Sequence, residues 1–331
     1  MIEPPLEPAL TAIQAGGFLL AGAAVIGNDA LQTLGPFLAA NRGRMPRPLQ
    51  ALFLSVLLCA VLWLGWSHSG GDPSWGRLET FPLPERFSWV DLLPPLAVLA
   101  LTRLGAPVST TFLVLTAFRP ANLPGLLLQS LLAYAAALLS GLLVYGLVGW
   151  LLGRPGASGG IRPLPPRPWL WLALQWLATG WLWSQWLIHD LANVYVYLPR
   201  QLATPPMALS LVALCGAVGL LVASGGGPIQ QRLTSKSHVD DPRAAALITA
   251  LYGLILACCA AVSRRPLSTT WVFLGLLAGR ELGLQLRWRE RSAAAVAGLL
   301  AGDIARAALG LAVSVAVALL VPALRQRWGL A

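Results

Sequence analysis

Long runs of apolar residues with almost no charge dominate this chain, among them Pro48–Trp66, Leu123–Leu152, Pro168–Ile188, Ala244–Val262 and Ala293–Val321. Each has roughly 18 residues or more, the length an α-helix needs to cross the hydrocarbon of a bilayer. A helix satisfies its backbone hydrogen bonds internally, so such a run can stand in lipid as a helix. A membrane β-barrel would show shorter segments of alternating hydrophobicity instead. Composition agrees: 56% of the 331 residues are hydrophobic and 11% are charged, against about 25% charged in a soluble domain. The expected fold class is an all-α polytopic membrane protein of about ten transmembrane segments, in the cell (plasma or inner) membrane.

The bulk features exclude several functions. A net charge of +10 would suit nucleic acid, but most Lys and Arg fall in short loops between apolar runs, as the positive-inside bias places them. No nucleic-acid partner is expected. Cys59, Cys215, Cys258 and Cys259 lie inside apolar runs without Cys-x-x-Cys spacing, which suits small core residues rather than disulfides or metal ligands. The first residues carry Glu3 and Glu7 and no basic stretch, so no cleaved signal peptide is expected. Many of the 14 Trp residues, such as Trp63, Trp66, Trp169 and Trp171, stand near the ends of apolar runs, as interfacial aromatic belts do.

Two motif pairs recur at one spacing. Pro107-Val-Ser-Thr-Thr111 returns as Pro266-Leu-Ser-Thr-Thr270, with Ser109 and Ser268 159 positions apart. Asn28-Asp29 with Gln32 returns as His189-Asp190 with Asn193, the aspartates 161 apart. Two unrelated motifs that keep one offset imply an internal duplication. The expected units are a first repeat over 1–153, a Gly- and Pro-rich linker loop over 154–167 and a second repeat over 168–331. Five segments are expected per half: 9–40, 48–66, 89–104, 107–121 and 122–153, then 168–199, 206–224, 244–263, 266–285 and 293–323. An odd number of crossings makes the second repeat enter the membrane from the opposite side, so the repeats are expected to be inverted; an even number would make them parallel. With the N-terminus outside, Arg42, Arg44 and Arg47, Arg154, Arg162 and Arg167, Arg232, Lys236 and Arg243, and Arg287, Arg289 and Arg291 all face inward. The 67–88 loop, with Arg77 and Arg86 balanced by Asp72, Glu79 and Glu85, then faces outward.

The recurring residues are polar where polarity is costly. An aspartate at membrane depth costs about 2.5–3.5 kcal/mol on insertion scales. The i, i+3 spacing puts Asp29 with Gln32, and Asp190 with Asn193, on one helix face. A carboxylate joined by amide oxygens suits a hard cation such as Na+, by the logic that governs Ca2+ and Mg2+. The bland reading is an aspartate that caps a broken helix. The Pro-x-Ser-Thr-Thr stretches read as helix starts, whose free N–H groups and dipole favour an anion. Their bland reading is Ser and Thr bonding back to their own backbone. In duplicate, with short helices entering from both sides, the pattern matches transporters whose discontinuous helices meet near the midplane. All four motifs are therefore expected to converge on one cavity. His189 is expected either to lend pH dependence or to be a neutral ring on a neighbouring carbonyl.

Taken in order, "GND" with a following amide, "PVSTT", "HDLAN", "DPR" at 241–243 and "PLSTT" resemble the inorganic phosphate transporter (PiT) family, which includes sulfate permeases. The resemblance spans nearly the whole chain. It implies a cation-coupled (Na+ or H+) symporter of an inorganic oxyanion, most simply phosphate, with sulfate as the alternative. It implies anion contacts for Ser109, Thr110, Thr111, Ser268, Thr269 and Thr270, and cation contacts for Asn28, Asp29, Gln32, His189, Asp190 and Asn193. No cofactor and no resident metal beyond a transported Na+ are expected; the partners are the anion, the bilayer and, as an open option, a second copy of the chain. Gln32 and His189 stand where the family pattern has Asn, and Phe112 and Trp271 stand where it often has His.

Other classes explain less. No His-Glu-x-x-His, Gly-x-Ser-x-Gly or Walker motif occurs and there are three His in all, so neither an enzyme nor an ATP-driven pump is expected. A non-transporting scaffold or receptor leaves the duplicated intramembrane polar residues without a reason. Arg280 with Glu281 reads as a gate or an interface pair. Asp303 with Arg306 reads as an intrahelical pair.

Overall fold

The computed structural model describes residues 10–103, 108–148, 167–225, 242–263, 265–288 and 293–328. They form helices joined by turns. α1 (Ala12–Val25) starts at a capping box in which the Thr11 hydroxyl accepts from Gln14 N at 3.2 Å and the Gln14 side chain accepts from Thr11 N at 2.9 Å. It continues through a π-helical turn, Ile26–Ala30, into α2 (Leu31–Asn41). α3 (Arg47–His68) has Pro at its start, where a missing N–H costs nothing. A short 3-10 turn, Trp89–Leu92, leads into α4 (Leu93–Arg103). After residues 104–107, which lie outside the described set, come a π-helical turn, Thr111–Leu115, and the one-turn α5 (Thr116–Phe118). α6 (Leu123–Val148) closes the first half.

The second half runs α7 (Pro168–Asp190), α8 (Ala192–Tyr195), α9 (Thr204–Ser224), α10 (Pro242–Val262), α11 (Thr269–Trp288) and α12 (Ala293–Arg327). Gly225, at φ +64, ends α9 in the left-handed conformation that glycine supplies at little cost. Among the described residues, five helices are long and apolar enough to cross a membrane: Arg47–His68, Pro120–Leu147, Thr204–Ser224, Pro242–Val262 and Ala308–Arg327. The chain is an all-α membrane protein.

Two of the expected segments are described as short pieces. Residues 89–104 and 107–121 were expected to cross, but α4 has 11 residues and rises about 16 Å, roughly half of the hydrocarbon thickness. The π-helical turn and α5 that follow are shorter still. The residues that join the two pieces, 104–107, lie outside the described set. The 154–167 linker lies outside the described residues except Arg167, and so do Arg154, Arg162, Arg232, Lys236, Asp241, Arg289 and Arg291.

Corresponding segments of the two halves pack antiparallel. Along α3 and α9, Arg47 Nη1 donates to the Ala223 carbonyl at 2.9 Å, the Cys59 and Cys215 sulfurs stand 3.5 Å apart, and Trp66 Nε1 donates to the Leu202 carbonyl at 2.7 Å. Between α1–α2 and α7–α8, Phe18 meets Tyr195 at a ring distance of 5.6 Å while Asn41 Nδ2 donates to Gln175 Oε1 at 3.0 Å. In each pair one chain index rises as the other falls.

The closest approach joins α6 and α11. Gly275, Gly279 and Gly283 repeat every four residues on one stripe of α11. A Cβ on them would meet the backbone of Tyr134, Leu138 and Leu142. Small residues at this spacing let helices pack backbone to backbone in lipid. Gly279→Ala is therefore expected to lower the melting temperature in detergent, by an overpacking cost of about 1–3 kcal/mol. Gly16→Ala, at a position with open space around it, is expected to leave it unchanged. Equal melting temperatures for the two variants would refute the close packing of α6 on α11.

Candidate functional site

All four motifs meet in one hydrogen-bonded cluster. The π-helical turn at Ile26–Ala30 carries Asn28 and Asp29, both buried. Such turns insert an extra residue into a helix and occur often at functional sites. Asp29 accepts from three side chains. Thr110 Oγ1 donates to Oδ2 in a short contact, Thr270 Oγ1 donates to Oδ1 at 3.1 Å, and Asn28 Nδ2 donates to Oδ1 at 2.8 Å. Asn28 Nδ2 also reaches the Val108 carbonyl at 2.6 Å, and Gln32 Nε2 donates to Asn28 Oδ1 at 3.3 Å. Asp29 is thus held by both Ser-Thr-Thr elements, one from each half.

Asp190 sits at the break between α7 and α8. Thr269 Oγ1 donates to its Oδ2 at 2.5 Å, as Thr110 does to Asp29. Asn193 Nδ2 crosses to the first half and donates to Thr110 Oγ1 at 3.1 Å and Thr111 Oγ1 at 3.2 Å. The two Ser-Thr-Thr elements also exchange bonds. Thr111 Oγ1 donates to the Leu267 carbonyl at 3.2 Å, and Thr270 Oγ1 reaches the Val108 carbonyl at 3.5 Å. Tyr252 OH braces the second element by donating to the Thr269 carbonyl at 2.9 Å.

Several acceptors in the cluster are left open. Asp190 Oδ1 and Asn193 Oδ1 are buried and have no hydrogen-bond partner among the described residues. A buried oxygen without a donor is costly and rare in folded proteins. Ser109 and Ser268 each accept from a backbone N–H, Phe112 N and Trp271 N, both at 3.3 Å. Among the described residues no acceptor takes their hydroxyl hydrogens. The Ser268 N–H donates to Ser130 Oγ at 2.9 Å, seven residues into α6. At 1.5 Å per residue that places the cluster about 10 Å below the start of that helix.

The remaining predicted residues lie elsewhere. His189 Nε2 donates to the Leu256 carbonyl on α10 at 2.9 Å, a bond open to a neutral or a charged ring, and makes no bond to the cluster among the described residues. Arg280 Nη1 pairs with Glu281 Oε1 at 2.5 Å, and its guanidinium lies 5.6 Å from the centre of the Tyr145 ring of α6. That is an interface position, more than two turns below Thr270. The side chains of Asp303 and Arg306 lie outside the described residues. Sequence reasoning missed Ser130 and Tyr252, which brace the second Ser-Thr-Thr element and stand in apolar runs with no motif around them.

No family model matches this sequence, and no curated protein matches it. Among solved structures, one described as "The sodium-dependent phosphate transporter" matches with a TM-score of 0.56 at 14% identity, over 94% of this chain and 98% of that one. The chain has a fold distantly similar to that transporter.

Thr110→Val and Thr269→Val each remove the donor to a buried carboxylate. Each is expected to cost about 1–3 kcal/mol of stability. Thr116→Val is expected to cost less, because the Thr116 hydroxyl bonds back to the Phe112 carbonyl of its own helix. Thermal melts of the three variants in one detergent check the order; a Thr116→Val variant as unstable as the other two would contradict it.

Proposed function

We propose that the chain is a cation-coupled symporter of an inorganic oxyanion, phosphate in the first place, built from two inverted repeats in the cell membrane. The single observation that carries this reading is the juxtaposition, at membrane depth, of open acceptors and open donors. Asp190 Oδ1 and Asn193 Oδ1 lack donors, and the Ser109 and Ser268 hydroxyls lack acceptors among the described residues. Oxygen acceptors with a negative charge suit Na+; hydroxyl donors beside helix starts suit an anion. The antiparallel pairing of α3 with α9 and of α1–α2 with α7–α8 supports an inverted arrangement, and the likeness to a transporter fold supports the transport class.

The chemistry explains symport. An unpaired charge in a dry interior is very costly and is found compensated. Two carboxylates alone would repel an oxyanion. A cation at Asp190, held by Asp190 Oδ1 and Asn193 Oδ1, removes part of that repulsion. The oxyanion, held by the Ser109 and Ser268 hydroxyls, in turn returns the favour to the cation. Asp29, already satisfied by three donors, serves first to join the two halves and then as the second negative charge.

Uptake of labelled phosphate and of labelled sulfate into proteoliposomes, with and without a Na+ or H+ gradient, tests the reading. Gradient-dependent uptake of one of them is expected, and uptake of neither would refute it. Asp29→Asn and Asp190→Asn are each expected to reduce coupled uptake to the level of empty liposomes while the protein stays folded and inserted. Normal transport by both variants would overturn the roles given to the carboxylates.

A further inference from the structure

Two cysteines, one from each half, meet on the seam between α3 and α9. Cys59 is the thirteenth residue of α3 and Cys215 the twelfth of α9. Helices of 22 and 21 residues rise about 32 Å, close to the thickness of the hydrocarbon, so both thiols stand near its middle. The cysteines are 156 positions apart, and the helix starts, Arg47 and Thr204, are 157 apart. Each cysteine therefore holds, in its own half, the place that the other holds in the second. In an antiparallel pair such equivalent residues come together only between the two ends, here between the Arg47–Ala223 bond and the Trp66–Leu202 bond. The two sulfurs are 3.5 Å apart there.

The surroundings leave each thiol with the other as its main partner. Besides Cys59, the Cys215 sulfur reaches the Ser55 carbonyl, 3.9 Å away, a weak contact. Leu58 and Leu214, the residues just before the two cysteines, are buried in the core, while Val56 and Val212, three residues before them, are exposed. The cysteines are half-buried between these faces. They stand at the lipid edge of the seam, open to the hydrocarbon at a depth where there is no water. Cys258 and Cys259, on α10, have no sulfur partner across helices among the described residues. A disulfide sets its sulfurs about 2.05 Å apart, so closure needs an approach of about 1.5 Å, which side-chain rotation and a small shift of the two helices supply.

We propose that Cys59 and Cys215 are a redox pair that a lipid hydroperoxide closes into a disulfide between the two halves, and, resting on the symport reading above, that this bond arrests transport. One sulfur attacks the terminal peroxide oxygen. The O–O bond breaks, the lipid leaves as an alcohol carrying the thiol's proton, and the cysteine becomes a sulfenic acid. The second sulfur attacks the first, the S–O bond breaks, and the oxygen leaves as water with the second thiol's proton. The two thiols give up two electrons and the peroxide takes them. A dithiol reopens the bond by exchange. Thiolate is scarce in apolar surroundings, so the pair is slow toward reagents in water and answers to an oxidant concentrated in the lipid. Alternating access moves one repeat against the other, and a covalent bond from α3 to α9 stops that movement. Formation of the bond does not depend on what the protein carries.

The experiment uses full-length protein in proteoliposomes, with cumene hydroperoxide as the lipid-soluble probe. Thiols are counted by maleimide labelling after denaturation, and unreduced chymotryptic peptides are mapped by mass spectrometry. Two labelled thiols per chain are expected to disappear and to return with dithiothreitol, and a linked peptide pair carrying Cys59 and Cys215 is expected in the map. Cys59→Ser removes the linked pair; if that variant does not insert, Cys215→Ala takes its place. Full labelling of both thiols after treatment, oxidation of either one without a link, or links confined to Cys258 and Cys259 overturns the proposal. Uptake of labelled phosphate and sulfate is read in the same vesicles. In wild type it is expected to fall in proportion to the linked fraction and to recover with dithiothreitol, while Cys59→Ser keeps its uptake under the same treatment. Undiminished uptake by linked protein overturns the arrest. Uptake of neither anion by untreated wild type ends the symport reading by itself, and the peptide map still decides whether the two cysteines join.

Discussion

The bond from Thr270 of the second half to Asp29 of the first is the contact on which the site depends. A carboxylate at this depth has no water to solvate it, so it must find donors within the protein. Asp29 finds them in both halves: Thr110 and Asn28 from its own, Thr270 from the other. The cluster therefore exists only when the two Ser-Thr-Thr elements are docked against each other. Their exchanged bonds, Thr111 to the Leu267 carbonyl and Thr270 to the Val108 carbonyl, fix the same register. Local helix ends, which alone would be frayed, become parts of one polar centre.

The two carboxylates occupy similar places but not similar environments. Asp29 has both oxygens engaged. Asp190 has one, and its other oxygen and that of Asn193 are open. The difference follows from where the neighbouring amide points. Asn28 turns its amide onto Asp29 and the Val108 carbonyl, whereas Asn193 sends its amide away from Asp190 to Thr110 and Thr111. One duplicated motif thus gives a joint in the first half and an open acceptor pair in the second.

Much of this architecture was legible in the sequence, because lipid punishes exceptions. Apolar runs long enough to span and aspartates inside them leave few readings, and the shared offset paired Asp29 with Asp190 and Ser109 with Ser268. What escaped was decided by tertiary contact. The Gly275-x3-Gly279-x3-Gly283 stripe was present as a pattern, yet its partner on α6 is fixed only by the folded packing.

The departures from the resembled family pattern are explained in the same way, by what each side chain touches. Phe112 and Trp271, which follow the two Ser-Thr-Thr elements, pack edge to face with ring centres 5.4 Å apart. They are one contact across the two elements, a favourable aromatic geometry, so a change at one position alone would leave the other ring without its partner. Gln32 keeps an amide within reach of Asn28 from one turn further along the helix. His189 places an N–H on the Leu256 carbonyl, an acceptor that lies toward α10 and away from Asp190. Each substitution makes a hydrogen bond or ring contact of its own, although His189 Nδ1 is left without a partner among the described residues, and leaves Asp29, Asp190 and the threonines bonded within one cluster. The polar centre is therefore set by the carboxylates and hydroxyls, whose bonds do not pass through the residues that differ at 112, 189 and 271.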